Sequence, residues 1–380
     1  MSREPVIVGV AESSLGVTNL PRMALHAEAT AAALRDAGLA LRDVDALYTT
    51  EVSRFPATSV AEYLGITPTW IESTMAGGAS YEIFVGHAAD AIRDGRCEVA
   101  LITYGNNQRS ARSRKMGGVV DEHTPVPQFE QPFGPLSPIS LYAMAAQRHM
   151  HEFGTTSEQL AEVAVAARAW ASLNPAAYRY GSSPLTVEEV LASPMVSDPL
   201  HALDCCLITD GGGAIVMTTA ARARSLPSVP IHVLGFGEIS TNNSMSQIPD
   251  LTDTGARIAG ERAYAMAGVG PADVDVAQVY DSFTITVLLE LEALGFCARG
   301  EAGSFVEKGR IAPGGEFPLN TSGGGLSYCH PGIFGLLLVV EAVRQLRGES
   351  GERQVPDASV ALCHGTGGIL SAHATIILGR

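Results

Sequence analysis

The chain has 380 residues, which points to two domains or one large duplicated fold. Hydrophobic residues make up 46% and charged residues 17%, enough apolar material for a buried core and a composition that argues against disorder. The formal net charge of -15 would repel a polyanionic duplex, so nucleic-acid binding is disfavoured.

No apolar run approaches the ~18–20 residues a membrane span needs. The first ten residues carry Glu4 and turn straight into an apolar run, without the layout of a signal peptide, so a cytoplasmic protein is expected. A helical pattern from Ala24 to Ala37 closes at Gly38. Asp43-Val44-Asp45 and a short strand at Ala46-Leu47-Tyr48 follow. The same order returns 230 residues later: a helix from Ala259 to Ala267, Gly268, Asp273-Val274-Asp275, and a strand from Val276 to Tyr280. Each glycine suits the left-handed position after a helix, where a Cβ would clash.

The echo continues along the chain. Ala91-Ile92-Arg93 ends a helix before the strand Val99-Ala100-Leu101, and Ala342-Val343-Arg344 ends one before Val360-Ala361-Leu362. Each half closes on a glycine-rich turn and an apolar strand, Gly211 to Thr219 and Gly367 to Leu378. Agreement at several places reads as two similar halves. Alternating strands and helices predict an α/β fold with a mixed or parallel sheet covered by helices.

Between the shared parts lies an insertion. It contains a proline- and glycine-rich loop, Pro125 to Pro138, and a helix from Ser157 to Ala171 that opens on the capping residues Thr156 and Gln159. The expected organisation is residues 1–105 and 200–225 as the first half, 106–199 as an inserted loop domain, and 226–380 as the second half. Within the insertion the basic run Arg109 to Lys115 is either a phosphate contact or a solvated loop.

Six cysteines stand at 97, 205, 206, 297, 329 and 363, none with Cys-x-x-Cys spacing. That pattern argues against a zinc site, a redox pair or a disulfide framework. The runs Gly211-Gly212-Gly213 and Gly323-Gly324-Gly325 lack the spacing of a dinucleotide-binding loop and read as close packing of turns.

A set of motifs in fixed order carries a family resemblance. Asn174-Pro175, Leu185 to Val190, Asp198-Pro199-Leu200, Asp204-Cys205-Cys206 and Thr209-Asp210-Gly211 come first. Tyr280-Asp281-Ser282-Phe283, Asn320 to Gly324, His330-Pro331-Gly332 and Cys363 to Gly368 follow. Together they resemble the sterol-carrier-protein-X branch of the thiolase-like superfamily. The resemblance implies a five-layered α-β-α-β-α thiolase fold of two similar halves, and an acyl-CoA substrate with no separate cofactor.

Thiolase chemistry uses a nucleophilic cysteine, a histidine that activates it, a second cysteine that moves a proton, and donors for the thioester oxyanion. By resemblance His330 is the activating imidazole, although a histidine hydrogen-bonded at a helix start, in a helix read from Gly332 to Leu346, also accounts for it. Cys363 matches the acid/base cysteine, or is a small buried hydrophobe. Tyr280 stands where related thiolases carry Asn or His, and its phenol could donate a hydrogen bond or act as an acid. Asp281 reads as a cap for the helix that follows, and Tyr328 is a second candidate phenol.

The family nucleophile opens a helix ending in Ile-x-x-Gly. Counting back from Ile92 and Gly95 puts its position at Gly78, followed by Ala79 and Ser80, and no cysteine occurs before Cys97. Ser80 is a possible substitute nucleophile. The glycine segment still offers backbone N–H groups at a helix N-terminus, so Gly78, Ala79 and Gly367 are expected to support an oxyanion or enolate.

Without the cysteine, aldol-type cleavage of a bulky 3-hydroxyacyl-CoA is the expected reaction. The chain thus resembles the nucleophile-lacking steroid side-chain aldolases. In that group a tyrosine matches Tyr280 and a second lies near the position of His330, so the histidine is a departure. The resemblance also implies a homodimer and a small OB-fold, zinc-ribbon partner protein, together a heterotetramer. The alternatives are an acyltransferase using Cys363 or Ser80, and a non-catalytic acyl-CoA-binding subunit.

Overall fold

The computed structural model describes residues 3–113, 122–135 and 138–380. Its strands are β1 (Pro5–Glu12), β2 (Ala46–Tyr48), β3 (Trp70–Glu72), β4 (Val99–Asn106), β5 (Met195–Ser197), β6 (Leu200–His201), β7 (Gly211–Thr219), β8 (Ile231–Ser240), β9 (Val276–Val279), β10 (Val360–Gly367) and β11 (Ala372–Gly379). Its helices are α1 (Arg22–Ala37), α2 (Pro56–Leu64), α3 (Ser80–Arg93), α4 (Ile139–Phe153), α5 (Ser157–Ser172), α6 (Val187–Ala192), α7 (Ala220–Ala223), α8 (Ala256–Ala267), α9 (Thr284–Ala293), α10 (Ala302–Val306) and α11 (Gly335–Arg347).

Nine strands run in the order β3-β2-β4-β7-β1-β8-β11-β10-β9, with β5 and β6 forming a separate hairpin. The sheet is mixed: β2 is parallel to β3 and β4, β9 is parallel to β10, and the other neighbours are antiparallel. It divides into two wings at β1 and β8, which are joined only through Val6–His232 and Ile7–Ile231.

The wings repeat one design. Helix α1 lies on β1 at Gly9, where a Cβ would come 2.2 Å from the Ala33 carbonyl oxygen. Helix α8 lies on β8 at Gly235, where a Cβ would come 2.1 Å from that of Ala263. Gly38 and Gly268 end these helices in the left-handed region, at φ 70° and 71°, as the sequence echo predicts. Asp45 accepts N–H bonds from Glu98 and Val99, and Asp275 accepts the equivalent pair from Ser359 and Val360.

Helices α3 and α11 touch strands of both wings and form the middle layer, while α1 and α8 cover the outer faces. This is the expected α-β-α-β-α order. Both middle helices are buried on almost every side, as helices in the centre of a large core must be. Phe84, Val85, Phe334, Leu337 and Val340 belong to the cluster between the wings. Each such side chain contributes roughly 1.5–3 kcal/mol of burial.

Between β4 and β7 the chain leaves the sheet and builds α4, α5, α6 and the β5–β6 hairpin. The capping boxes of α5 (Thr156 with Gln159) and α6 (Thr186 with Glu189) are both formed. Of the basic run, residues 114 and 115 lie outside the described residues, as do residues 136 and 137 of the proline-rich loop. Among the described residues no helix is long and apolar enough to cross a membrane.

Candidate active site

A cavity of about 250 Å³ opens where the ends of β9 and β10 meet the start of α3 and the His-Pro-Gly turn. Tyr280, His330, Gly78 and Gly367 all line it, together with Tyr142 and Cys206.

Tyr280 follows directly on β9, where strand pairing with β10 stops, so its backbone is held on one side by the sheet. Its hydroxyl lies 3.0 Å from His330 Nε2 and accepts a bond from the Phe334 N–H at 3.2 Å. Burial pushes the phenol well above its ordinary value, with Cys206 and Tyr104 adding to the effect. The phenol is therefore protonated, and besides His330 Nε2 its hydroxyl has the Gly332 carbonyl oxygen at 3.5 Å as an acceptor.

The turn carrying His330 is tied down from several sides. Its N–H donates to Thr209 Oγ1 at 3.0 Å, and its carbonyl accepts from Gln108 Nε2 at 2.8 Å. Tyr104 donates to the Pro331 carbonyl at 2.9 Å and accepts from the Ile333 N–H. The following helix begins at Gly335, so His330 belongs to a braced turn and not to the helix start read from sequence.

At the cavity floor two glycine turns cross backbone to backbone. A Cβ on Gly77 would come 2.9 Å from Gly367 Cα, and one on Gly367 would come 1.7 Å from the Ala76 carbonyl oxygen. At Gly78 a Cβ would meet the Thr366 carbonyl oxygen at 2.1 Å and Tyr280 Cε2 at 2.4 Å. The position is therefore closed to any side chain. Gly77 and Gly78 open the turn that leads into α3, and the first amide groups of such a turn have no partner within the helix.

Several expected residues lie elsewhere. Cys363 is fully buried in β10 outside the cavity lining, its thiol directed at the Leu338 carbonyl at 3.7 Å, and burial pushes its pKa well up. Ser80 is buried, donates to the Gly77 carbonyl and accepts from the Ala76 N–H, so its hydroxyl is committed to the turn. Ala79 packs with Ile83 and Ala374 under the site. Tyr328 is buried against Phe334 with its hydroxyl toward Glu12, outside the lining. Asp281 caps no helix: the N-cap of α9 is Phe283. Its carboxylate accepts from the Gly325 and Leu326 N–H groups and so clamps the glycine-rich turn ahead of His330, while burial raises its pKa to about 7.

The structure also supplies residues that sequence reasoning missed. Tyr142, from α4, brings the insertion into the cavity and packs in a tilted arrangement on Phe283, ring centroids 4.7 Å apart. Cys206 is the thiol that lines the cavity among the described residues. Glu82, on α3 beneath Gly78, is fully buried; neither carboxylate oxygen has a protein partner, and burial raises its pKa to about 8. Among the described residues no group of three or more His, Cys, Asp or Glu side chains could hold a metal ion.

Residues 237–380 match a family model described as thiolase C-terminal domain-like. The chain is 35% identical to an acetyl-CoA acetyltransferase of Methanothermobacter thermautotrophicus over 98% of its own length and 99% of that protein. It is 37% identical to a steroid side-chain-cleaving aldolase of Thermomonospora curvata over 90% of both. The solved Ltp2-ChsH2(DUF35) aldolase superposes with a TM-score of 0.91 at 34% identity, covering 100% of this chain and 98% of that one. With relatives this similar along nearly its whole length, and with two duplicated wings around a shared helical layer, the chain belongs to the thiolase superfamily.

Proposed function

We propose that the protein is a carbon–carbon lyase that cleaves a bulky 3-hydroxyacyl-CoA by a retro-aldol reaction, without a covalent acyl-enzyme. One observation carries this reading: at Gly78, the position to which the sequence motif assigns the family nucleophile, the space a side chain would need is filled by the Tyr280 ring and the Thr366 carbonyl. An acyl group has nowhere to be held there. A phenol hydrogen-bonded to an imidazole stands in its place.

The chemistry follows from that pair. The substrate's β-hydroxyl gives its proton to the Tyr280 oxygen as Tyr280 passes its own to His330 Nε2. Burial keeps the phenol from acting as a free phenolate, so the imidazole is the base and the phenol the relay. The β-carbon becomes a carbonyl as the Cα–Cβ pair moves into the thioester enolate. The N–H groups at the Gly77-Gly78 turn stabilise its oxygen. The proton then returns through Tyr280 to Cα, leaving a ketone and a shortened acyl-CoA, and no cofactor is consumed.

The aldolases among the relatives support this reaction, and the name of one supports a steroid side chain as the acyl group. The neighbouring structure is named for a pair, Ltp2 with ChsH2(DUF35), which supports a small partner protein of the expected OB-fold, zinc-ribbon kind. A homodimer is supported by the open edge of β3 at the end of the sheet, where Ile71 is 50% exposed. We place the protein in the cytoplasm.

An acyltransferase is the second reading, because Cys206 lines the cavity and one relative bears that name. The test is incubation with 3-hydroxyacyl-CoA and 3-oxoacyl-CoA esters, alone and with a DUF35-type partner, followed by product analysis and intact-protein mass spectrometry. Ketone plus shortened acyl-CoA with no added protein mass is expected. An acyl adduct formed during turnover would overturn the lyase reading.

A further inference from the structure

The chain has 25 basic and 40 acidic side chains, yet three arginines meet at one cavity. This cavity, about 430 Å³, lies between the C-terminal part of α5, the loop after it and the turn Gly324–Tyr328, and Arg109, Arg168 and Arg179 line it. Cys206 lines both this cavity and the catalytic one, so the two are neighbours through a single side chain.

Arg168 is only 9% exposed. Its Nη1 donates to the Ser183 carbonyl at 3.2 Å, while its Nε has no protein partner; the Nε of Arg179 is likewise buried without one. Neither guanidinium has a carboxylate within ion-pair distance among the described residues. Two cations held side by side repel: after burial itself, Arg179 is the largest influence lowering the pKa of Arg168. Only Glu189 opposes this, and its carboxylate is engaged with the Thr186 N–H at the start of α6.

The arrangement is nevertheless held in place. The Tyr178 and Arg179 N–H groups donate to the Tyr328 and Ser327 carbonyls at 2.9 and 3.1 Å, and the Arg179 guanidinium lies over the Tyr178 ring. Buried guanidiniums kept apart from carboxylates are stabilised when an anion completes them, and planar N–H forks match phosphate oxygens.

We propose that Arg168, Arg179 and Arg109 form the site for the nucleotide phosphates of the thioester substrate, with the pantetheine arm passing Cys206 to reach Tyr280. The proposal rests on the acyl-CoA reading above and adds where the far end of that substrate is held.

The experiment measures binding by calorimetry on the full chain, with CoA, 3′-dephospho-CoA, pantetheine and inorganic phosphate as probes. Arg179→Ala, at a half-buried loop position, and Arg168→Lys, which keeps the charge but loses the fork, are compared with wild type. Each variant is expected to weaken CoA about ten- to a hundredfold and to leave pantetheine unchanged. The CoA affinity of wild type should fall with added salt more steeply than that of either variant. Equal loss with CoA and dephospho-CoA assigns the pyrophosphate to the arginines, and loss with CoA alone assigns the 3′-phosphate. Unchanged CoA binding in a folded Arg179→Ala protein overturns the site while the lyase reading stands. Wild type that binds phosphate but not CoA overturns both.

Discussion

The Tyr280 ring occupies the space that a side chain on Gly78 would fill, with Cε2 only 2.4 Å from the position of a Cβ there. On the proposed assignment of the nucleophile's place to Gly78, loss of the nucleophile and gain of the phenol are one steric exchange. Restoring the thiol alone should therefore fail. Gly78→Cys is expected to overpack the cavity floor, lower stability by about 1–3 kcal/mol, abolish lyase turnover and form no acyl-enzyme. Thermal melts and mass spectrometry check this; a stable, acylated Gly78→Cys protein would show that the floor is not closed.

Tyr280→Phe keeps the ring and its packing and removes the hydroxyl that contacts His330 and Phe334. Loss of the relay is expected to lower kcat about 10²- to 10⁴-fold. Leaving the Phe334 N–H without its acceptor should cost about 1–3 kcal/mol of stability. The two effects separate by comparing kcat at saturating substrate with denaturant midpoints. A loss of stability with kcat unchanged would make the phenol structural.

The duplicated wings were legible because the glycines and aspartates that mark them do the same work in both: Gly38 and Gly268 end helices, Asp45 and Asp275 tie strand ends. That Tyr280 and Gly78 face one cavity was legible for a similar reason, since a strand end and a helix start fix where such residues point. Cys363 was not. A motif gives order along a strand, but side chains alternate between its faces, and the thiol turns toward Leu338 in the middle layer. Asp281 reads as a cap because a helix follows it, yet its partners are the N–H groups of residues 325 and 326, distant in sequence. Glu82 and Glu290 are acids buried within apolar helices, and sequence periodicity alone does not tell a buried acid from a solvated one.

The placement of the thiols separates two fates. Cys363→Ala removes a buried sulfur outside the cavity, so turnover should change less than about threefold and stability should fall by about 1 kcal/mol, roughly the transfer cost of the lost atom. Cys206→Ser alters the cavity wall without removing a group of the proton relay, so kcat should hold while KM rises. Loss of all turnover in Cys206→Ser, with the fold intact, would return the acyltransferase reading.

Glu82 sets a pH dependence of stability. A Cβ on Gly335 or Gly365 would come 2.4 or 2.2 Å from its Oε2, so these glycines make the space the carboxyl occupies under Gly78. In the folded protein burial holds a proton on Glu82 up to about 8, whereas in the unfolded chain it is lost around 4.5. Between those values the folded state binds more protons, so stability is greatest below pH 4.5 and falls as pH rises toward 8. Asp281, raised to about 7 by burial, slopes the same way. Glu82→Gln keeps the shape and removes the titration. Relative to wild type it should gain on the order of a few kcal/mol between pH 5 and pH 8.5, read from denaturant midpoints at both. If the two proteins keep parallel pH profiles, Glu82 does not carry a proton in the folded state, and an ion or water beneath Gly78 must hold its charge instead.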